Sequence, residues 1–258
     1  MLTLLYHQVG NLSQDQDPLH LAISPAQFEM EMSYLAKNGY HCMSLESVVK
    51  AQITGDRLPK RAFSITFDDG YQDNYERAFP ILQKYGFTAT IFLVPDRMGK
   101  TTKWWGLNDK QELPLMSWIM AQEMALNGID FGSHTRSHAR LKDLSREQRT
   151  WELATSKQII EEHLGRPITL FAVPYELSTP ELETEIEEQG YLGSCGSLLF
   201  PENRFNLWRR QCFGHDTMTV FKLKVSELWR YSVLTKYHSQ FGNGIRSIRR
   251  RFKPGFQL

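Results

Sequence analysis

Cysteine is scarce in this chain. Its three copies among 258 residues, Cys42, Cys195 and Cys212, are odd in number and widely spaced. With no Cys-x-x-Cys pair, both a disulfide framework and a zinc–thiolate site are disfavoured. Long apolar runs are lacking as well: no stretch approaches the ~20 apolar residues of a membrane span. Residues 1–6, Met-Leu-Thr-Leu-Leu-Tyr, have no basic flank or cleavage site and are too short for a secretory leader. As written, the chain is therefore expected in the cytoplasm, at most at the inner face of the membrane. Neither sign of charge is in excess. A formal net charge of +1 gives no footprint of a nucleic-acid binder. What is present, 41% hydrophobic and 12% aromatic residues, is ample for one large core.

Apolar runs alternate with helix signals along most of the length. Leu2–Tyr6 reads as a buried strand. Ser24 caps a helix running from Pro25 to Asn38, with Gln27 placed to complete a capping box and Gly39 to stop it. Ala62–Phe67 is a second strand, 73–85 a helix, and Thr88–Val94 a third strand rich in β-branched and aromatic residues. A helix over 117–127, a strand over 129–132, a helix from Ser145 to His163, a strand over 168–173, a helix over 180–189 and a strand over 191–195 follow. Such alternation predicts parallel βα units. About seven of them without an internal linker predict an α/β fold, a single-domain distorted (β/α) barrel over residues 1–215. A doubly wound sheet is the alternative. Residues 216–258 read as a helical, basic extension.

The chemistry concentrates in two short segments, Thr66-Phe67-Asp68-Asp69-Gly70 and His134-Thr135-Arg136-Ser137-His138. Each lies where an apolar strand gives way to a loop. In β/α barrels the active site forms at the C-terminal ends of strands, and His7 and Pro174-Tyr175 fall at that same end. Two imidazoles and one carboxylate make three ligands for a divalent metal, which leaves a coordination position for water. The second carboxylate is then available to take a proton. Adjacent strand-end residues point in different directions, so one aspartate can ligate while the other faces the water; chemistry alone does not say which.

These motifs resemble those of the polysaccharide deacetylase family (NodB homology, carbohydrate esterase family 4) over roughly residues 1–191. Phe171-Ala172-Val173-Pro174-Tyr175 is similar to a third family motif. The resemblance implies a metal-dependent hydrolase that removes N-linked acetyl groups from an N-acetylhexosamine-containing glycan or glycan precursor. It implies Asp69, His134 and His138 as ligands to a divalent ion, zinc by preference, with Asp68 as the base. The Tyr175 N–H would hold the oxyanion, and Tyr71, Pro174 and the Tyr175 ring would contact substrate. The chain departs from the pattern at Ala172, where many members carry an arginine that orients the catalytic aspartate; a variant branch acting on β-1,6-linked poly-N-acetylglucosamine also has alanine there. Arg209 or Arg210 is a candidate to supply the missing charge, against the alternative of a solvated basic pair. The family's proton-donating histidine has no clear counterpart. His215 and His238 lack its context, and His7 reads as a structural histidine, so the general acid is unassigned. Removal of N-formyl or O-acetyl groups, or sugar binding without catalysis, are the rival functions. The aromatic and basic stretch Trp229–Phe252 reads as a solvated helix, an oligomer contact or a peripheral contact with an anionic membrane surface.

Overall fold

The computed structural model describes residues 1–104 and 112–226. The chain divides into two compact units, Met1–His215 and Asp216–Leu258. In the first unit the elements run β1 (Leu2–Tyr6), β2 (Gln8–Val9), β3 (Ala22–Ile23), α1 (Pro25–Lys37), β4 (His41–Cys42), α2 (Leu45–Thr54), β5 (Ala62–Phe67), α3 (Phe79–Tyr85) and β6 (Thr90–Leu93). Then come α4 (Trp118–Leu126), β7 (Asp130–Ser133), α5 (Arg146–Leu164), β8 (Leu170–Ala172), α6 (Pro180–Glu188), β9 (Gly193–Cys195) and β10 (Arg210–Gln211). The second unit contributes α7 (Met218–Val225), capped by Thr217, with a buried Lys224–Asp216 ion pair. Residues 227–258, including His238 and the basic aromatic stretch, lie outside the described residues.

The main sheet has the order β10-β1-β5-β6-β7-β8-β9, with β4 pairing beside β5, and the pairs are parallel. This is the expected (β/α) barrel of about seven parallel strands. Its two edges are joined by one short segment: Leu207 bridges to Cys195 of β9, and three residues later β10 pairs with β1. Both faces of such a sheet are covered, so β1, β5 and β6 are buried at every residue rather than alternating. Phe92 of β6, Leu170 and Ala172 of β8, Cys195 of β9 and Leu207 pack with Leu45 and Val49 of α2 in one apolar cluster.

Local sequence explains most boundaries. Ser145 and Gln148 form a full capping box at the start of α5, and Gly165 ends it in the left-handed conformation. The predicted box at Ser24 is corrected: Ser24 does accept from the Gln27 N–H, but the Gln27 amide turns to Glu31 and the Phe213 carbonyl, each 3.3 Å away. The helix expected over 73–85 opens as a π-turn at Asn74–Ala78, in which the Phe79 N–H reaches the Asn74 carbonyl. Pro80 accounts for this, since it has no N–H and its ring crowds the carbonyl one turn back. Helix α2 and strand β4 were not anticipated, although Ser44 caps α2 and Leu45, Val48 and Val49 form its buried face. Among the described residues no helix is long and apolar enough to cross a membrane.

Candidate active site

Strand ends deliver the polar groups. β5 runs into Asp68, whose N–H donates to the Tyr6 carbonyl at 3.1 Å, so the pairing with β1 persists to the first aspartate. The chain then turns sharply, with Asp69 at φ 74° and Gly70 at φ 75°. Glycine suits position 70, where a side chain would be strained by the left-handed backbone and its Cβ would press on Leu93 Cδ2 at 2.8 Å. β7 runs into His134, whose N–H donates to the Leu93 carbonyl at 2.9 Å. Two non-glycine residues in the left-handed region, Thr135 and His138, both at φ 63°, fold the loop back. Both imidazoles thereby reach the same point.

Asp69, His134 and His138 are buried and form a group able to hold a metal ion, their ligand atoms all within 4.8 Å of one another. Asp69 Oδ1 lies 3.1 Å from His138 Nε2 and 3.5 Å from His134 Nε2, yet it makes no hydrogen bond despite its burial. Those separations match the ~3.4 Å edge of a tetrahedron whose ligands sit ~2.0–2.2 Å from a shared ion. The tautomer fits as well. His134 Nδ1 is 2.8 Å from the Ala172 carbonyl, which can only accept, so the proton is on Nδ1 and the Nε2 lone pair faces Asp69. Burial pushes the His134 imidazole down to about 4, keeping it neutral and able to ligate. His138 Nδ1 lies 3.1 Å from the Tyr175 hydroxyl, a comparable outer partner.

Arg209 resolves the question left by Ala172. It lies in the segment that closes the barrel, between Leu207 on β9 and Arg210 on β1. Its guanidinium, wholly buried, grips Asp68 with two bonds: Nη1 to Oδ1 at 2.6 Å and Nη2 to Oδ2 at 2.8 Å. Burial alone would raise the Asp68 carboxyl, but Arg209, followed by His134, outweighs it and holds the group below the usual carboxylate range. Arg210 instead occupies β10 as the partner of Leu4.

His7 follows β1, as expected, but it is not the satisfied structural histidine anticipated. Its Nδ1 is buried without a hydrogen bond, and the ring is close enough to influence the charge of both Asp68 and Asp69. Its main chain is fixed by Asn74, whose amide donates to the His7 carbonyl at 2.8 Å. A cleft of about 440 Å³ opens beside the cluster, lined by Trp104, His138, Arg140 and Tyr175 among others. Trp104 stacks on His138 with centroids 4.3 Å apart, and Arg140 lies 4.8 Å over the Tyr175 ring. Tyr175 adopts the left-handed conformation (φ 61°). Of the three proposed substrate contacts, only Tyr175 lines this cleft. Pro174 is buried at the start of a short helical turn, and Tyr71 is buried, with burial and the Asp69 charge both raising its hydroxyl pKa. His215 stacks on Phe213 and meets His20 edge-on, and is not part of the group able to hold a metal ion.

The polysaccharide deacetylase family profile matches residues 55–193, more than half of the chain, so the chain belongs to that family. The polysaccharide deacetylase homologue YxkH of Bacillus subtilis is 31% identical over 189 residues, covering 73% of this chain and 61% of the relative. The poly-β-1,6-N-acetyl-D-glucosamine N-deacetylase of Staphylococcus epidermidis is 26% identical over 208 residues, covering 73% of this chain and 69% of the relative. Thus the chain spans about three fifths to two thirds of the length of these relatives. In fold, it is similar to the deacetylase PplD of Streptococcus pyogenes (TM-score 0.74, 21% identity, 88% of this chain and 98% of that one). It is also similar to IcaB of Ammonifex degensii (TM-score 0.72, 23% identity, 87% and 97%).

Proposed function

We propose that this protein is a metal-dependent N-deacetylase that releases acetate from an N-acetylhexosamine-containing glycan or glycan precursor. One observation carries the reading: the buried Asp69–His134–His138 group has a second carboxylate beside it that is held ionised by a buried arginine. Zinc suits two neutral imidazoles and a carboxylate. When bound, such an ion would polarise the acetamide carbonyl and lower the pKa of water. The protein's own residues do the rest. Asp68, oriented by both guanidinium bonds, takes the proton of the attacking water. The Tyr175 N–H donates to the oxygen that becomes negative as the carbonyl carbon turns tetrahedral, a contribution of ~3 kcal/mol in comparable sites. His7 gives a proton to the departing sugar amine, which cannot leave as an anion. The C–N bond then breaks, yielding acetate and a free amine. The relative named as a poly-β-1,6-N-acetyl-D-glucosamine N-deacetylase supports a glycan of that type as substrate. Acetate release from a panel of N-acetylated, N-formylated and O-acetylated sugars, with and without chelator, tests the reading. Acetate from the N-acetylated sugars, abolished by chelator and restored by zinc, is expected. Saturable glycan binding without acetate release at any metal loading would refute it.

A further inference from the structure

The loop carrying both imidazoles is held by a carboxylate that the mechanism above does not use. Glu152 sits in the middle of α5 and is 6% exposed. Its Oε2 accepts the main-chain N–H groups of Arg136 (2.9 Å) and Ser137 (3.0 Å), while Oε1 accepts the Ser137 hydroxyl at 2.7 Å. Two successive N–H groups converging on one oxygen form a small anion-binding concavity, here filled by the protein's own side chain. One turn along the same face of α5, the Ser156 hydroxyl meets the Ser133 hydroxyl at 2.6 Å, just before His134. Asp96 also holds the loop: its N–H donates to the Arg136 carbonyl (3.1 Å) and its carboxylate accepts from Arg136 Nε (2.9 Å).

The loop has reason to need such a clamp. Thr135 and His138 both hold left-handed backbone that non-glycine residues adopt at a cost, and such strain persists only where surroundings over-determine it. The two strained residues bracket the pair of N–H groups that Glu152 binds. Residues 134–138 span the distance between the imidazoles, so this backbone sets where each Nε2 lies relative to Asp69 Oδ1.

We propose that Glu152 is a positioning residue for the metal-ligating loop, fixing the separation of the His134 and His138 imidazoles and hence the affinity of the site. The proposal rests on the reading of Asp69, His134 and His138 as metal ligands. The reach of the side chain, not its charge, sets the position of the loop. Glutamine at 152 keeps an oxygen in place for both N–H groups and can donate to the Ser137 hydroxyl. Aspartate keeps the charge but falls short by one methylene. Outer partners of metal-binding histidines are commonly worth 10–100-fold in affinity.

The test is zinc affinity of the full chain, measured by competition with a chromophoric chelator, for wild type, Glu152→Gln and Glu152→Asp. The visible spectrum of each cobalt(II)-loaded protein and the melting temperature of each chelated protein accompany it. Glu152→Gln is expected within about threefold of wild type. Glu152→Asp is expected at least tenfold weaker, with an altered cobalt band. An Asp variant within threefold of wild type with an unchanged cobalt spectrum would overturn the proposal, even if its melting temperature fell, because the clamp would then serve stability alone. The reverse order, Asp binding more tightly than Gln, would overturn it in favour of a purely electrostatic effect. Failure of the wild type to bind zinc or cobalt would instead overturn the metal reading itself, and the proposal with it.

Discussion

Replacing Arg209 by methionine isolates the contact that stands in for the family's usual arginine. Both partners of the pair are inaccessible, Arg209 at 0% and Asp68 at 5% side-chain exposure, and two short bonds join them. Removing one member leaves a buried, uncompensated carboxylate, which costs about 3–5 kcal/mol in such settings. The sign of the pH dependence follows from the Asp68 carboxyl, which the pair holds below its ordinary range. In the wild type its contribution to stability is present above the unfolded carboxylate pKa of ~3.9 and is lost as pH falls through the lower folded value. In Arg209→Met burial acts without its main opponent, and the folded pKa rises instead. The variant is then least stable relative to wild type at neutral pH, and the gap narrows as pH falls toward 4 and Asp68 takes a proton. Catalysis should move in parallel: with the guanidinium gone, the acid limb of kcat/KM shifts upward by about 1–3 pH units. Urea unfolding at pH 4.5 and 7.5, with acetate release from pH 5 to 9, measures both. An unmoved acid limb together with an unfolding free energy within 0.5 kcal/mol of wild type, on the order of the scatter for neutral surface changes, would refute the reasoning. Adding Ala172→Arg to Arg209→Met, which returns the cation to the family's usual position, should recover part of the activity.

Other consequences are equally direct. Asp68→Asn should abolish turnover while sparing zinc binding, but it also strands the buried Arg209. The Asp68→Asn/Arg209→Met double variant should therefore unfold at higher temperature than the sum of the single losses implies, a coupling that a double-mutant cycle reads. His138→Ala should lose zinc and activity together, by metal analysis and acetate release, and added zinc should not restore either. His7→Ala should lower kcat on N-acetylated sugar by about 10²–10⁴-fold. The same variant should lose far less on p-nitrophenyl acetate, whose leaving group needs no proton, and equal losses on both substrates would count against His7 as the acid. Gly132→Ala should destabilise by about 1–3 kcal/mol in urea unfolding, since its Cβ would lie 2.5 Å from the Phe92 ring and 2.9 Å from the Leu170 carbonyl.

Elements with their own punctuation were legible in the sequence. The strand Ala62–Phe67 and the helix opened by Ser145 and closed by Gly165 have the predicted limits within a residue or so, because apolar periodicity, cap and stop agree there. The π-turn at Asn74–Ala78 was written in Pro80, whose missing N–H conflicts with an uninterrupted α-helix. Helix α2 carried the same kinds of signal in Ser44, Gly55 and the spacing of Leu45, Val48 and Val49, and these could have been read. Strands β4 and β10, two residues each, could not. They exist only because β5 and β1 offer an edge beside them.

The candidate site divides along the same line. The Asp68-Asp69 pair and the two imidazoles stood out as candidates because they follow strand ends within short motifs, and chain direction brings those ends together; the choice of Asp69 over Asp68 as ligand came from the family resemblance. Arg209 did not stand out in this way, because neither spacing nor periodicity distinguishes it from Arg210. The two residues leave the chain on opposite sides, and only closure of the barrel by Leu207 on one edge and β10 on the other decides which guanidinium turns inward. Glu152 differs again. On α5 it shares the buried face with Leu153, Ser156 and Ile160, so a carboxylate at a core-facing helical position was visible in principle as an acid in need of partners. Its partners are main-chain N–H groups of a loop bent by two left-handed residues, and no side-chain pattern reports them. The candidate ligands of this site thus belong to motifs, while the groups that hold Asp68 and the imidazole loop belong to the fold. A motif match with alanine at 172 consequently says little about the state of Asp68 until the residue filling the closing segment at 209 is also known.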